Sequence, residues 1–376
     1  MANYDIISPE EASFRKELEE KTDVHSMRLK RYLSMPDLAR TSSSPLAEIV
    51  KKAKEVSSLK DFDDIKIPEI VPTNILFDLF NMPEGHPARS ESDTYYVDKK
   101  NVLRTHDTVF WYYYLNHPDI KKRIENKETL GAICYGKVYR KDEIDARHMN
   151  VFHQFGGWLI APDDKKTITP EDLKKALTEI ATSIFGDINF RFYDHNFPYT
   201  DPSFEMEAEI NGQWIEMLGS GIVRKSVLSN LGLEGYHGWA FGFGLERLAI
   251  ASMQLPDIRL LWSEDERVKK QLKLGHKFVE VSKYPPVMRD ISFIVSKEFI
   301  PNDYFDFVRE TAPGIVEEVA LLDKYENAEK FGEDKLSYAY RITYRSLERT
   351  LTAEEIDQVH KKLETETTKN FDGVIR

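Results

Sequence analysis

Two arginines stand in local sequences that suit the binding of phosphate groups. Arg140 lies on the first arm of an expected hairpin, in VYRKDEIDARHMNVFHQF, and Arg247 follows a glycine-rich strand end in GWAFGFGLERLAI. A guanidinium group binds phosphate oxygens bidentately and keeps its charge. Glycines at 242 and 244 let a ligand approach the backbone closely. This pattern predicts a polyphosphate site at which Arg140 and Arg247 bind the ligand.

Strands and helices between about residues 67 and 265 must position these arginines. Candidate strands cover residues 94–97, 132–138, 151–160, 188–193, 204–210 and 214–222. Residues 210–213, Ile-Asn-Gly-Gln, predict a type I′ turn, and Thr169 is expected to cap an amphipathic helix over 170–185. Hairpins interrupted by helices predict an α+β fold with a mostly antiparallel sheet.

Segments of different character flank this region. Ser8 followed by Pro9 marks a helix start, and residues 1–66 are expected to form a helical extension that packs on a partner chain, on RNA or on the main domain. Residues 266–282 are expected to be a linker. Residues 283–376 predict a β-α-β-β-α order with a short final strand, in which Asn302 and Thr352 cap the helices. That order is ferredoxin-like.

Composition excludes several classes of protein. The chain has 376 residues, a formal net charge of −12 and one cysteine, Cys134, which excludes an internal disulfide and a cysteine-cluster zinc site. No apolar run reaches the roughly 18 residues that span a membrane. The acidic N-terminal residues resemble neither a signal nor a transit peptide, so we expect a cytoplasmic protein. The mitochondrial matrix is the alternative if a presequence has been removed.

The two arginine segments resemble motifs 2 and 3 of the class II aminoacyl-tRNA synthetases, and the sequence around them resembles the phenylalanyl-tRNA synthetases, above all the single-chain mitochondrial type. KYPPVMRDISFIV and YAYRITYRSLERTL resemble the ferredoxin-fold anticodon-binding domain of that family. The resemblance covers roughly residues 80–376. It implies a class II catalytic domain over 67–265 and an anticodon-binding domain over 283–376. It also implies ATP-dependent attachment of phenylalanine to its tRNA through an adenylate, by a monomer.

The resemblance also implies an ATP site with bound Mg²⁺. Its expected residues are Arg140, Asp142, His148, Phe152, Glu216 and Arg247. Arg140 would hold the α-phosphate and the substrate carboxylate, and Arg247 would hold the γ-phosphate. Phe152 would stack on the adenine, near which Asp142 would lie, while His148 would reach the outer phosphates. Glu216 would bind Mg²⁺, which takes oxygen ligands.

By the same resemblance, a second set of residues would bind the amino acid: His106, Asp107, Thr108, Gln154, Phe197, Tyr199, Ala240 and Phe241. The rings of Phe197 and Tyr199 would pack against the substrate ring. Ala240 would form the pocket floor, so that Ala240→Gly should admit para-substituted phenylalanines.

Two positions depart from the family pattern. Gly156 stands where the family has a glutamate near the substrate ammonium, and Asp107 stands where it has a threonine. Our hypothesis is that Asp107 replaces the lost carboxylate from across the pocket. The alternative is a shifted substrate.

Other functions stay open at this point. Arg341, Arg345 and Arg349 are candidate tRNA contacts, or simply a solvated face. A synthetase-like enzyme could activate a different amino acid or load another acceptor, and a non-catalytic paralogue could bind RNA. The presence of Arg140, Arg247, His148 and Glu216 argues against the non-catalytic alternative, because such a protein needs no ATP site.

Overall fold

The computed structural model describes residues 2–143, 145–210, 212–281 and 284–376. Asn211 of the expected type I′ turn lies outside the described residues, as do Ser282 at the end of the expected linker and Lys283 at the expected start of the C-terminal domain. The chain forms two compact units. The first holds Met1–Arg140, Val151–Leu255 and Leu272–Lys277; the second holds Lys141–Asn150, Pro256–Gln271 and Phe278–Arg376.

The first unit contains ten strands, nine α-helices and two short 3-10 helices within its described residues. The strands are β1 (Asn3–Asp5), β2 (Asp63–Lys66), β3 (Ile70–Pro72), β4 (Asn101–Leu103), β5 (Leu130–Tyr139), β6 (Val151–Pro162), β7 (Phe190–Phe197), β8 (Thr200–Ile210), β9 (Gln213–Val223) and β10 (Tyr236–Gly244). The helices are α1 (Pro9–Glu20), α2 (Val24–Ser34), α3 (Pro45–Lys54), α4 (Thr73–Leu76), α5 (Phe110–Asn116), α6 (Pro118–Glu125), α7 (Pro170–Phe185), α8 (Lys225–Asn230) and α9 (Leu245–Met253).

Eight of these strands form one sheet in the order β1-β2-β5-β6-β10-β9-β8-β7. Strands β1, β2 and β5 run parallel, and every other neighbouring pair is antiparallel. The predicted α+β fold with a mostly antiparallel sheet is therefore confirmed. The expected strand at residues 94–97 is wrong, because that segment contributes only the single bridge from Tyr96 to Val102.

Helix starts follow the local sequence. The hydroxyl of Ser8 accepts the Glu11 N–H at the start of α1. Thr169 and Asp172 form a capping box at the start of α7, which confirms the predicted cap. These caps satisfy backbone N–H groups that have no partner inside the helix.

The N-terminal extension packs on the main sheet, which is the third of the arrangements expected for it. Leu18 and Leu29 share a core with Tyr95 and Tyr139. Strands β1 and β2 extend the sheet itself, so residues 1–66 belong to the first unit. This segment contains helices α1, α2 and α3, as well as two strands that were not foreseen.

Aromatic rings fill both faces of the central strands. Trp158 on β6 stacks on Trp111 of α5, with ring centroids 4.8 Å apart. On the opposite face Phe155 of β6 stacks on Phe243 of β10 at 5.1 Å. Because both faces are covered, β6 and β10 lie in the middle of the core and give the site a rigid support.

The second unit has the predicted ferredoxin-like order. Its elements are α10 (Glu266–Lys269), β11 (Val287–Ser296), α11 (Pro301–Thr311), β12 (Val316–Tyr325), α12 (Ala328–Phe331), β13 (Lys335–Tyr344), α13 (Ala353–Phe371) and β14 (Val374–Ile375). The sheet runs β12-β13-β11-β14, and each neighbouring pair is antiparallel. Phe293, Tyr304 and Tyr340 lie at the centre of its core.

One of the two predicted caps in this unit is wrong. Thr352 accepts the Glu355 N–H and caps α13 as expected. The N-cap of helix α11 is Ile300, two residues before the predicted cap Asn302, and the helix begins at Pro301 without a side-chain cap. The Asn302 amide instead donates to the backbone carbonyl of Lys141, because position 302 is already inside the helix. Among the described residues, no helix is long and apolar enough to cross a membrane.

Candidate active site

Three glycines form a row across neighbouring strands of the large sheet. Gly156 of β6 pairs with Gly242 of β10, which pairs in turn with Gly219 of β9. Paired residues share a face of the sheet, so the row is a strip without side chains. A Cβ atom on Gly219 would stand 2.6 Å from the Phe197 ring, and one on Gly156 would stand 2.3 Å from Asp107 Oδ2. The row is thus covered by a ring at one end and a carboxyl at the other.

Aromatic side chains surround the Gly219 end. The rings of Phe197 and Tyr199 stack with centroids 5.8 Å apart and an interplanar angle of 10°. The Phe80 ring packs edge-on against the rings of Tyr199 and His106, with centroid distances of 6.5 Å and 5.9 Å, respectively. Burial raises the pKa of the Tyr199 hydroxyl to about 12, so this group is neutral near pH 7. The structure brings together Phe197, Tyr199 and His106 of the predicted amino-acid pocket.

Asp107 covers the Gly156 end. Its side chain is 2% exposed, and its backbone N–H donates to Gln154 Oε1 at 2.9 Å. Within the described residues Oδ2 has no hydrogen-bond partner. Burial raises the pKa of this carboxyl to about 7, while Arg104 and Arg140 act in the opposite direction.

His106 is neutral in this environment. Burial lowers the pKa of its imidazole to about 3, and the charge of Arg140 acts in the same direction. Neither ring nitrogen has a hydrogen bond of normal geometry to a described residue, although the backbone of Leu76 lies close enough to influence the pKa. Thr108 follows two residues later, and its carbonyl accepts the Trp111 N–H. A neutral imidazole can donate one hydrogen bond and accept another.

The two residues predicted at the pocket floor lie on opposite faces of the sheet. Ala240 is two residues from Gly242 on β10, so both face the glycine row. Phe241 points the other way: a Cβ on Gly157 would meet its ring at 2.6 Å, and it stacks with Phe243. The structure therefore brings Ala240 to the row but not Phe241.

Arg140 lies beyond the glycine row on the same face. Its Nε donates to the Thr105 carbonyl at 3.0 Å, and its Cζ lies 5.3 Å from the centroid of the Phe152 ring. Phe152 and Gln154 lie four and two residues before Gly156 on β6, so all three are on the same face of the sheet. The structure thus brings together two residues of the expected ATP site, with the Arg140 guanidinium over the Phe152 ring.

Arg247 and Glu216 form an ion pair, with Nη1 and Oε1 separated by 2.7 Å and each side chain about half exposed at 45% and 47%. The pairing register of β8 and β9 shifts between Met206 and Glu207. A β-bulge of this kind changes the face of the sheet to which the following side chains point. It places Glu216, which is three residues from Gly219, on the same face as that glycine.

Glu216 also suits a magnesium ion. Its cross-strand partner is Glu207, so two carboxylates stand side by side. Mg²⁺ takes one or two carboxylates and completes its shell with phosphate oxygens and water. The described residues contain no group of three or more His, Cys, Asp or Glu side chains that could hold a metal ion.

Asp142 and His148 belong to the second unit. There His148 Nδ1 lies 2.8 Å from Asp145 Oδ2. Burial acts to raise the pKa of Asp145, but the hydrogen bonds from His148 and the backbone lower it overall. In the same unit Lys141 pairs with Asp303 of α11 at 2.9 Å.

Each candidate tRNA-binding arginine pairs with a carboxylate of its own unit. Arg341 pairs with Asp290 at 2.8 Å and Arg345 with Glu317 at 2.8 Å. Arg349 donates through Nη1 to Glu355 at 2.7 Å. An RNA phosphate would have to compete with these carboxylates.

Sequence reasoning missed a buried pair that joins β6 to α9. Glu246 accepts the His153 backbone N–H at 2.8 and 2.9 Å, and its Oε1 lies 2.6 Å from His153 Nδ1. The Leu38 N–H donates to Nε2, so the ring proton resides on Nδ1 and is donated to Glu246. The available signal was that His153 and Glu246 each adjoin a predicted site residue.

Comparison with known proteins supports the same interpretation. Residues 30–272 match the model of the tRNA synthetases class II core domain (F), and residues 282–376 match the ferredoxin-fold anticodon binding domain. The chain is 39% identical to the chloroplastic/mitochondrial phenylalanine–tRNA ligase of Arabidopsis thaliana over 331 residues, which are 85% of this chain and 74% of the relative. The chain belongs to the phenylalanine–tRNA ligase family of class II synthetases.

Other members of the phenylalanine–tRNA ligase family align over similar lengths. The mitochondrial enzyme of Mus musculus is 37% identical over 80% of this chain and 72% of its own length. The mitochondrial enzyme of Saccharomyces cerevisiae is 29% identical over 87% of this chain and 86% of its own length. The core-domain match begins at residue 30, inside the predicted extension, so the match includes the last five residues of helix α2 and the segment after it.

Proposed function

We propose that this chain attaches phenylalanine to tRNA in two steps. In the first step a carboxylate oxygen of phenylalanine forms a bond to the α-phosphorus of ATP, the bond from that phosphorus to the β-phosphate oxygen breaks, and pyrophosphate leaves. In the second step a hydroxyl of the terminal tRNA ribose attacks the carbonyl carbon of the adenylate, and AMP leaves. Family membership and the two-domain organisation support this function.

The observation that carries the proposal is the bare glycine row between the Phe197 ring and the Asp107 carboxyl. A flat strip of backbone admits an amino acid lying on the sheet. A ring at one end matches the phenyl group, and edge-to-face or offset ring contacts contribute about 0.5–1.5 kcal/mol beyond area burial. Arg140 lies on the same face and is suited to the carboxylate that must react.

Catalysis of adenylate formation is mainly a matter of position and charge. Negative charge builds on the phosphate oxygens as the new bond forms, so fixed cations stabilise the transition state. Arg140 is held by the Thr105 carbonyl and serves the α-phosphate, while Phe152 offers its ring to the adenine. Arg247 exchanges part of its contact with Glu216 for the γ-phosphate.

Mg²⁺, when bound, neutralises phosphate charge and fixes the conformation of the triphosphate. Glu216 is the residue that would hold it, with Glu207 beside it. Asp142 and His148 stay candidate ATP-binding residues on the ground of the family resemblance alone.

The polar end of the amino acid is handled by three neighbouring groups. Gln154 is oriented by the N–H of Asp107, so its amide group is free to donate. His106 is neutral, and its nitrogens suit the amino acid rather than a phosphate. Thr108 lies one residue beyond Asp107.

The second unit would receive the tRNA through its anticodon-type domain, with Arg341, Arg345 and Arg349 as candidate phosphate contacts. We include in the proposal that the enzyme is a monomer. We also favour an organelle over the cytoplasm expected from the sequence, because the relatives cited carry mitochondrial or chloroplastic names.

The test is ATP–pyrophosphate exchange with Mg²⁺, run with each of the twenty amino acids. We expect exchange that depends on phenylalanine, and a tyrosine signal at least tenfold lower. Exchange with a different amino acid would overturn the phenylalanine assignment, and no exchange with any would overturn the adenylate chemistry as written.

A further inference from the structure

The carboxyl of Asp107 occupies the volume that a side chain at position 156 would need. A Cβ atom on Gly156 would stand 2.3 Å from Asp107 Oδ2, 2.7 Å from its Cγ and 2.9 Å from its Oδ1. Non-bonded atoms do not approach so closely, so one of the two side chains must be absent or displaced. Position 156 is therefore glycine because the Asp107 carboxyl leaves no room for a side chain. A hinge or a turn does not explain this glycine, since Gly156 lies in a strand, in register with Cys134 on one side and Gly242 on the other.

This carboxyl has a vacant acceptor atom in a buried place. Asp107 is 2% exposed, and Oδ2 accepts no hydrogen bond from any described residue. Buried polar atoms in folded proteins are nearly always satisfied, and those that are not require an explanation. A ligand that donates to Oδ2 supplies one.

The carboxyl also faces the part of the row that is left open. A Cβ on Gly242 would meet Asp107 Oδ1 at 3.5 Å, and among the described residues it would have no other neighbour within 4 Å. Strands lie about 4.8 Å apart, so Gly156 and Gly219 are separated by roughly 10 Å. An aromatic amino acid with its ring against Phe197 therefore has its amino end near Asp107.

We propose that Asp107 binds the ammonium group of the amino-acid substrate, and that Gly156 is glycine because this carboxyl takes the place of its side chain. The inference rests on the proposed function for the identity of the substrate. An ionised carboxylate is the natural acceptor for an ammonium group, and the bond between them is charge-assisted.

The neighbouring charges are consistent with this assignment. Arg104 and Arg140 both favour the ionised carboxylate, while burial disfavours it. Cys134 and Tyr199 feel the charge of Asp107 but are themselves neutral near pH 7, because burial raises the pKa of each to about 12. A docked ammonium group adds a positive charge in direct contact with the carboxylate, and so stabilises the ionised form.

Asp107→Asn is the first test, since it keeps the shape and removes the charge. We expect the dissociation constant for phenylalanine to rise about 10- to 100-fold, the range for losing a hydrogen bond to a charged group. Affinity for 3-phenylpropionate, which lacks the amino group, should change less than threefold. Equilibrium dialysis with both ligands measures this. Unchanged affinity for phenylalanine in the folded variant would overturn the proposal.

The shared volume gives a second test. Gly156→Glu alone should abolish phenylalanine binding, because the new side chain meets the Asp107 carboxyl. Asp107→Thr alone should weaken binding as Asp107→Asn does. The double variant Asp107→Thr/Gly156→Glu should bind phenylalanine within about tenfold of the wild type. A double variant that folds but binds phenylalanine no better than Gly156→Glu would contradict the shared-volume argument. If the double variant does not fold, the Asp107→Asn measurement alone decides whether the proposal holds.

A buried aspartate elsewhere in the first unit is the matched control. Asp63 is 4% exposed and binds Tyr114 and Arg123. Asp63→Asn should lower the melting temperature without changing the dissociation constant for phenylalanine. Failure of the proposed function and failure of this inference give different results. If the wild type catalyses exchange with another amino acid, the proposed substrate is wrong. If the wild type catalyses exchange with phenylalanine and Asp107→Asn binds phenylalanine as well as the wild type, only this inference is wrong.

Discussion

The imidazole of His153 is held between two partners that fix its proton. Its Nδ1 lies 2.6 Å from Glu246 Oε1, and its Nε2 accepts the Leu38 N–H at 2.9 Å. Both side chains are buried. The pair connects β6, which carries Phe152 and Gln154, to α9, which carries Arg247 one residue after Glu246. The pair thereby fixes the strand that carries Phe152 relative to the helix that carries Arg247, two residues of the proposed ATP site.

We expect Glu246→Ala to destabilise the first unit by about 3–5 kcal/mol, because it leaves the His153 N–H groups buried without an acceptor. Urea denaturation followed by tryptophan fluorescence measures the loss. Glu84→Ala, at an exposed glutamate, should change stability by less than about 0.5 kcal/mol. Equal midpoints for the two variants would show that the buried pair contributes nothing.

The buried carboxyl of Asp107 predicts a pH dependence of stability. Its pKa is raised from 3.8 to about 7 in the folded chain, so the folded state holds this proton more tightly than the unfolded state. The stability that it contributes is present below about pH 4 and is lost as the pH rises through about 7. Asp107→Asn should therefore gain stability relative to the wild type between pH 4 and pH 8, by at most about 4 kcal/mol. A difference that does not vary with pH would contradict this.

Arg247→Ala should lower kcat/KM for ATP in the exchange reaction about 100- to 1000-fold, the range for losing one donor to developing charge. The cause is loss of the cation opposite Glu216, and folding should be little affected because the side chain is half exposed. Arg267→Ala, at an exposed arginine of the second unit that pairs with Asp265, is the control. Exchange within threefold of the wild type for Arg247→Ala would exclude the phosphate role.

Ala240→Gly should enlarge the pocket on the face of the glycine row. We expect p-chlorophenylalanine to support exchange in this variant at least tenfold better than in the wild type. Ala132→Gly is a matched control, since Ala132 is a buried alanine that pairs with Trp158 from the other side. If both variants gain activity equally, the effect comes from general loosening and not from the pocket floor.

Replacing the three paired arginines of the second unit should affect tRNA and not ATP. The triple variant Arg341→Ala/Arg345→Ala/Arg349→Ala should raise KM for tRNA about tenfold, because each guanidinium can exchange its carboxylate for a phosphate. Phenylalanine-dependent exchange should be unchanged. A triple alanine variant of exposed lysines in the same unit is the control, at Lys297, Lys330 and Lys369. Equal effects would indicate only a change in net charge.

Much of the fold follows from local sequence. Capping residues such as Thr169 and Thr352 fix helix starts through bonds to their own neighbours, and these predictions are confirmed. Asn302 shows that a residue type typical of helix caps is not enough to predict a helix start. Because the helix begins at Pro301, Asn302 lies inside it. The strands at residues 3–5 and 63–66 were missed because each is short and is stabilised by a distant partner.

The candidate site was predicted in part. Arg140, Phe152 and Arg247 stand in continuous motifs, so their types and order indicated the chemistry. The opposition of Asp107 to Gly156 was a hypothesis drawn from the family resemblance. The glycine row could not be derived, because it depends on the register between strands far apart in the chain. Phe241 was assigned to the pocket beside Ala240, yet strand alternation directs its ring to the other face.

Aminoacylation of tRNA with radiolabelled phenylalanine tests the central claim most directly. The purified chain, ATP, Mg²⁺ and a phenylalanine tRNA transcript should give acid-precipitable label that is released by mild base, as expected for an ester on the terminal ribose. No label should appear with a tyrosine tRNA, or when ATP is omitted. Absence of label with the phenylalanine tRNA, from a chain that still forms the adenylate, would contradict the assignment of tRNA as the acceptor.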